Sequence, residues 1–140
     1  MPIANYTTKV PVARSVQWIQ EVLSANGAKA IMMDYEAGEP CAVTFRIDQG
    51  DQRLGFRLPC DWKKTLTVLN RSKIPNSLKR NDQAKRVAWR CVHDWIRAQL
   101  ALVEIGAASL DQVMLPYAIT NNGMTLYERI GEAGLKQIGF

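Results

Sequence analysis

Four side chains on one stretch of the chain have types and spacing that could do chemistry together. In QAKRVAWRCVHDWIRAQLAL, residues 83 to 102, Arg86, Arg90, His93 and Arg97 recur at steps of four, three and four. On a helix those steps stack side chains along one stripe. Three guanidiniums and an imidazole in a row suit an anion, because the planar fork of arginine matches carboxylate and phosphate oxygens. The wet side of a core helix also has to be polar. Such sides usually alternate acids and bases, however, and the first four turns here carry almost no acid.

The surrounding charge points the same way. Residues 63 to 97 hold ten basic side chains against Asp82 and Asp94, a balance of +8, so the rest of the chain sums to −3 within the total of +5. A basic segment on a mildly acidic body implies an anionic partner. Lys79, Arg80 and Lys85 continue the stripe back into the preceding linker. Arg46, Arg53 and Arg57 form a second group, each one step from an apolar residue in an alternating run. The nine lysines and arginines among these, without His93, are the candidate binding set, for nucleic acid first and an acidic host protein second.

Catalysis finds little support. General acid–base work usually draws on histidine or paired carboxylates, and His93 is the single histidine. It is read as part of a solvated or interface stripe. Asp94 lies about 100° further round a helix and is expected to pair with Arg90 or Arg97 instead. Cys41, Cys60 and Cys91 are odd in number, widely spaced and without a C-x-x-C, which reads as reduced, mostly buried thiols rather than zinc ligands. The nine glycines are scattered, with no phosphate-cradling loop or nucleophile elbow. No catalytic residue, metal or cofactor is expected. Trp18, Trp62 and Trp95 sit among apolar positions. Trp89, flanked by arginines, is either a buried ring or a platform for a base or a guanidinium.

The elements that must position these groups follow from periodicity. Residues 1–9 read as an extended or loose arm. Pro11 opens a helix over 11–26, with Val12, Val16, Ile19 and Leu23 on one face and Asn26-Gly27 as its stop. Strands are expected at 28–35, 41–47 and 52–58, joined by EAGEP and DQGDQ. Their period of two puts Val43, Phe45, Ile47, Leu54, Phe56 and Leu58 inward, and the three arginines on a wet, basic face. Asp61 caps a helix over 62–71. A polar linker leads to a long helix over 83–105, capped by Asn81 or Asp82, ended by Gly106 and packed through Ala84, Val87, Ala88, Cys91, Trp95, Ala98 and Leu102. Ser109 with Gln112 and Thr125 with Glu128 fit capping boxes, starting helices over 109–117 and 125–133. The tail GLKQIGF is expected to pack loosely.

The fold class is therefore α+β: an N-terminal helix, a three-stranded antiparallel sheet, then an all-helical C-terminal half with one long helix. At 140 residues one domain is expected, with sub-parts 1–60 and 61–140. No apolar run reaches the roughly 20 residues of a membrane helix, and MPIANYTTKV lacks a signal-peptide core, so a cytoplasmic setting is expected.

The blocks ANYTTKVP, QAKRVAWRCVHDWIRAQLALVEIG and LPYAITNNGMTLYERI, about half the chain, resemble a group of small proteins encoded in phages and prophages. That resemblance implies a phage origin and an accessory role in an infected bacterium, in DNA metabolism, transcription control or inhibition of a host defence factor. It carries no catalytic residues. The helix–three strands–helix order is also similar to the double-stranded-RNA-binding domain, and KRNDQAKRVAW to the basic start of that domain's second helix. Residues 61–82 interrupt this likeness, and EAGEP stands where that family has a histidine-containing loop.

Overall fold

A computed structural model describes residues 1–134 together with Ile138 and Gly139. Helix α1 (Val12–Ala25) leads into strands β1 (Ala30–Glu36), β2 (Glu39–Gln49) and β3 (Gln52–Pro59). Then follow α2 (Trp62–Arg71), the long α3 (Asn81–Glu104), the short α4 (Leu110–Met114) and α5 (Leu126–Ala133). The sheet is antiparallel in the order β1-β2-β3. The expected α+β architecture is the observed one. The C-terminal half is mostly rather than wholly helical, because Ala118 bridges to Phe56 of β3 and Ile119 to Thr125.

Alternation places the strands as expected. Val43, Phe45, Ile47, Phe56 and Leu58 are buried. Phe45 and Phe56 oppose each other in register and stack with ring centroids 5.3 Å apart. This face meets Ile19 and Leu23 of α1 and Ala88, Trp89, Ile96 and Leu100 of α3 in one apolar layer. The β1–β2 turn is made by Ala37 and Gly38, both at positive φ, the geometry a tight hairpin favours. On the outer face Ile119 passes over Gly55, and its Cδ1 lies 3.4 Å from where a Cβ would stand. That face is thus partly covered rather than simply wet.

The caps show how local chemistry fixes the ends. The Asp61 carboxylate accepts from the amides of Lys63 and Lys64. Both expected capping boxes are formed. Gly106, at φ 79°, ends α3: its amide reaches the Val103 carbonyl and that of Ala107 the Leu102 carbonyl, a Schellman closure. The start of α3 differs from expectation. The helix begins at Asn81 with extended Arg80 as an N-cap that makes no side-chain bond. Asp82 lies inside the first turn, where its carboxylate accepts from the Gln83 amide. Pro116 breaks the expected 109–117 helix into α4 and a 3-10 turn at Leu115–Tyr117, and the linker before α3 holds another at Asn76–Leu78.

Two further expectations are corrected. The N-terminal arm is docked on α3. The buried Gln83 amide donates to the carbonyls of Tyr6 and Thr8, at 2.9 and 3.0 Å, and Asn5 donates to Asp94 at 2.9 Å. The buried side of α3 is also wider and differently placed. Trp89, His93, Ile96 and Leu100 are buried, whereas Ala98 and Leu102 are exposed. The cause is that α3 packs against both α1 and α2, so two helices and the sheet enclose its first half. Of the tail, residues 135–137 and 140 lie outside the described residues.

Candidate anion-binding groove

Two stripes meet where α1 crosses α3. Val10, Arg14 and Trp18 recur every four residues on one side, and Arg90, His93 and Arg97 recur at three and four on the other. Together they line a depression of about 550 Å³. Arg14 is a member that the sequence reading missed. An isolated arginine early in an amphipathic helix gives no signal, and only the α1–α3 packing brings it opposite Arg90 and Arg97. The four-residue step from Arg14 to Trp18 on α1 is the trace that was present.

His93 is the part of the groove that departs most from expectation. It is 3% exposed, not solvated. Its ring lies against Trp18, with centroids 3.8 Å apart and planes tilted by 48°. Its Nδ1 is 2.8 Å from the Asp94 carboxylate, which a helical wheel had placed on another face. Asp94 also meets Arg90, as expected, at 3.8 Å. Partial burial raises the Asp94 pKa, but bonds from Asn5 and His93 and the charges of His93 and Arg90 outweigh it and hold the carboxyl below its ordinary value. Asp94 is therefore an acceptor at neutral pH, and it selects the tautomer with hydrogen on Nδ1. That leaves Nε2 without a protein partner among the described residues. Arg14 and Arg97 likewise make no ion pair among them.

Several other candidates are committed elsewhere. Lys85 pairs with Glu39 at 2.8 Å and lies 4.8 Å over the Trp62 ring. Arg86 is held by the Gln83 side-chain oxygen at 2.6 and 3.0 Å and sits 3.7 Å from Asp82. The stripe of four is thus divided: Arg86 braces the docked arm, while Arg90, His93 and Arg97 line the groove. Lys79 donates to the Asn70 carbonyl at 3.3 Å. Arg80 is exposed and 3.8 Å from Asp82.

On the outer sheet face Arg46 pairs with Asp48 at 3.2 Å. Arg57 donates to the Gly123 carbonyl at 2.7 Å and lies 3.7 Å from Glu128. Arg53 stands opposite Asp48 in register and is exposed. The three share one face, as expected. They are separated from the α1–α3 groove by the apolar layer, so the nine candidates do not form one surface.

Trp89 is a buried ring whose Nε1 donates to the Pro40 carbonyl at 3.3 Å, so it offers no stacking platform. A second cavity, about 610 Å³, lies between the β1–β2 hairpin and α2. Its lysines already face carboxylates, Lys85 on Glu39 and Lys63 on Glu36. Its charge is balanced from within, unlike that of the groove. The three cysteines are free. Cys60 lines that cavity, and burial first, then the charges of Cys91, Asp61 and Cys41, push its thiol up to about 12.

No protein-family model matches the chain, and no curated protein or solved structure does either. What the groove can do follows from its own residues. No helix among the described residues is long and apolar enough to cross a membrane.

Proposed function

We propose that this protein is a non-enzymatic binding module for an anionic partner, nucleic acid first, and that it acts as a phage-type accessory protein in the bacterial cytoplasm. The observation that carries this reading is the placement of Arg14, Arg90 and Arg97 around one groove, with two of the three making no ion pair among the described residues. Guanidiniums so placed hold phosphates and set orientation without reading sequence. Arg80 lies about 15 Å along the helix axis from Arg90 and extends the track toward the linker. Lys85 and Arg86, engaged within the fold, contribute to the field rather than to contacts.

The test is a binding titration against duplex and single-stranded DNA across a salt series. With about three phosphates neutralised, log K falls against log salt with a slope near −2.7 on duplex and near −2 on single strands. Arg14→Ala, Arg90→Ala and Arg97→Ala each reduce that slope by about one on duplex. Absence of any complex at low salt overturns the reading.

A second reading, an inhibitor docked on a host protein, draws on the far end of α3. Leu102 and Ile105 are exposed there at 42% and 74%, a feature that phosphate contact does not use. In this reading the basic surface docks on an acidic host protein, and the apolar end of α3 fits a homo-oligomer formed through that helix. A pull-down from bacterial lysate with and without nuclease separates the two readings. A partner that survives nuclease favours the inhibitor, and one that vanishes favours the nucleic-acid module.

A further inference from the structure

We infer that the α1–α3 groove is a site for a phosphate monoester, the terminal phosphate of a nucleic acid strand or of a mononucleotide, rather than for an internal phosphodiester. This rests on the anion-binding reading above and narrows it to one ligand chemistry. Two observations carry it, the charge of the groove and the state of its buried imidazole.

The charge comes first. Arg14, Arg90 and Arg97 bring three positive charges to one depression, and Asp94, 3.8 Å from Arg90, offsets about one. The remainder near +2 matches the charge of −1.5 to −2 that a monoester carries at neutral pH. A diester carries one negative charge and leaves the groove under-neutralised. An internal phosphate also continues as chain on both sides, whereas the depression is walled by Arg14 and Trp18 on one side and by Arg90, His93 and Arg97 on the other.

The imidazole adds a second point of contact. Nδ1 is engaged by Asp94 at 2.8 Å, which leaves Nε2 as the ring nitrogen open to a ligand. Nε2 has no protein partner, yet it is not sealed off: the sealed, unpartnered side-chain atoms among the described residues are Ser15 Oγ and Thr44 Oγ1. The groups facing the ring are Arg14 and Trp18 from α1, Arg90, Asp94 and Arg97 on α3, and, through Asp94, Asn5 of the arm. None of them donates to Nε2. A phosphate monoester has three terminal oxygens against the two of a diester, so it can meet the arginines and still turn an oxygen toward Nε2. A proton from solvent, held between that oxygen and Nε2, closes a charge-assisted hydrogen bond. A diester has one oxygen and one negative charge fewer to set against it.

The experiment compares one single-stranded DNA oligonucleotide in three forms, with a 5′-phosphate, a 3′-phosphate or hydroxyls at both ends, by fluorescence anisotropy on the full chain. A nucleoside monophosphate and inorganic phosphate serve as competitors. A terminal phosphate is expected to tighten binding about tenfold, the worth of one good charge-assisted pair. Arg97→Ala, at an exposed position, is expected to erase that preference without unfolding the chain. His93→Gln, checked for folding by thermal melt, should reduce the preference while keeping residual affinity for the hydroxyl form. A strong preference with weak competition by the nucleoside monophosphate assigns the strand end as the source. Competition equal to the oligonucleotide assigns the mononucleotide, and the site stands in both cases. Equal binding of all three forms, lost in the arginine variants, overturns the monoester site and leaves the general anion-binding reading in place. No binding of any form overturns both.

Discussion

The imidazole of His93 and the carboxylate of Asp94, neighbours in sequence, bond to each other at 2.8 Å across the edge of the α1–α3 groove. The pair gives the protein a definite acid response. Asp94 has its folded-state pKa depressed. Its contribution to stability is therefore present above the unfolded carboxylate value of about 3.9 and is lost as pH falls through the lower folded value. Asp94→Asn is expected to be less stable than the parent at neutral pH, with the gap closing below about pH 4. Denaturant melts of both proteins along a pH series measure this. A gap that does not change with pH would mean that Asp94 acts by shape alone.

Gln83 ties the arm to α3. Its amide donates to two backbone carbonyls, of Tyr6 and Thr8, while its oxygen accepts from Arg86. Gln83→Ala leaves those carbonyls to find water and releases the guanidinium. The expected cost is about 1–3 kcal/mol. Proteolysis should follow at Lys9, and amide exchange should accelerate over residues 3–10. An arm as protected in the variant as in the parent would show that Asn5 and the apolar contacts of Val10 suffice to dock it.

Cys60 should be the least reactive thiol. At about 12 its thiolate fraction near pH 8.5 is below about 10⁻³, and the thiolate is the nucleophile. Iodoacetamide labelling of the native chain, mapped by mass spectrometry, is expected to leave Cys60 unmodified while Cys41 and Cys91, both half-buried, label first. Unfolding should equalise the three. Fast labelling of native Cys60 would require the strand end at Pro59 to open on the labelling timescale.

What was legible in the sequence was whatever a short window determines. Period two in β2 and β3, the Asp61 cap, both capping boxes and the Gly106 stop each depend on a few adjacent residues, and each is found. What was not legible depended on which elements touch. No window containing Gln83 shows that its amide will meet carbonyls 75 and 77 positions away. The stripe of Arg86, Arg90, His93 and Arg97 was real as a stripe, but packing divided it. Arg86 was drawn to Gln83, His93 was buried against Trp18, and Arg14 was supplied from another helix. Lys85 was removed from the candidate cations by Glu39, a strand residue whose nearness the charge count could not reveal. Leu102 was placed on the packed face by an assumed single packing partner, whereas α3 has several and Leu102 is exposed.

The sheet arginines give a prediction in which stability and binding separate. Arg46, Arg53 and Arg57 share the outer face, yet their surroundings differ. Arg53 is exposed, and the Arg46–Asp48 pair is exposed at both ends, where such pairs contribute about 0–1 kcal/mol. Arg57 donates to the Gly123 carbonyl at 2.7 Å, a turn 66 residues away, and stands beside Glu128 of the α5 capping box. Bonds to the Thr125 backbone and hydroxyl, together with the nearby Arg57 charge, hold the Glu128 carboxyl below its ordinary value. Arg57 thus fastens the C-terminal turn to β3, a role that alternation alone could not distinguish from solvation. Arg46→Gln and Arg53→Gln are expected to leave the melting temperature within error of the parent. Arg57→Gln should cost roughly 1 kcal/mol, the net worth of a hydrogen bond with a charged donor that is still partly open to water. Since this face lies across the apolar layer from the α1–α3 groove, none of the three should change the salt slope of nucleic-acid binding. A reduced slope in Arg53→Gln, which disturbs nothing structural, would mean that the outer face of the sheet, not the groove, carries the anion.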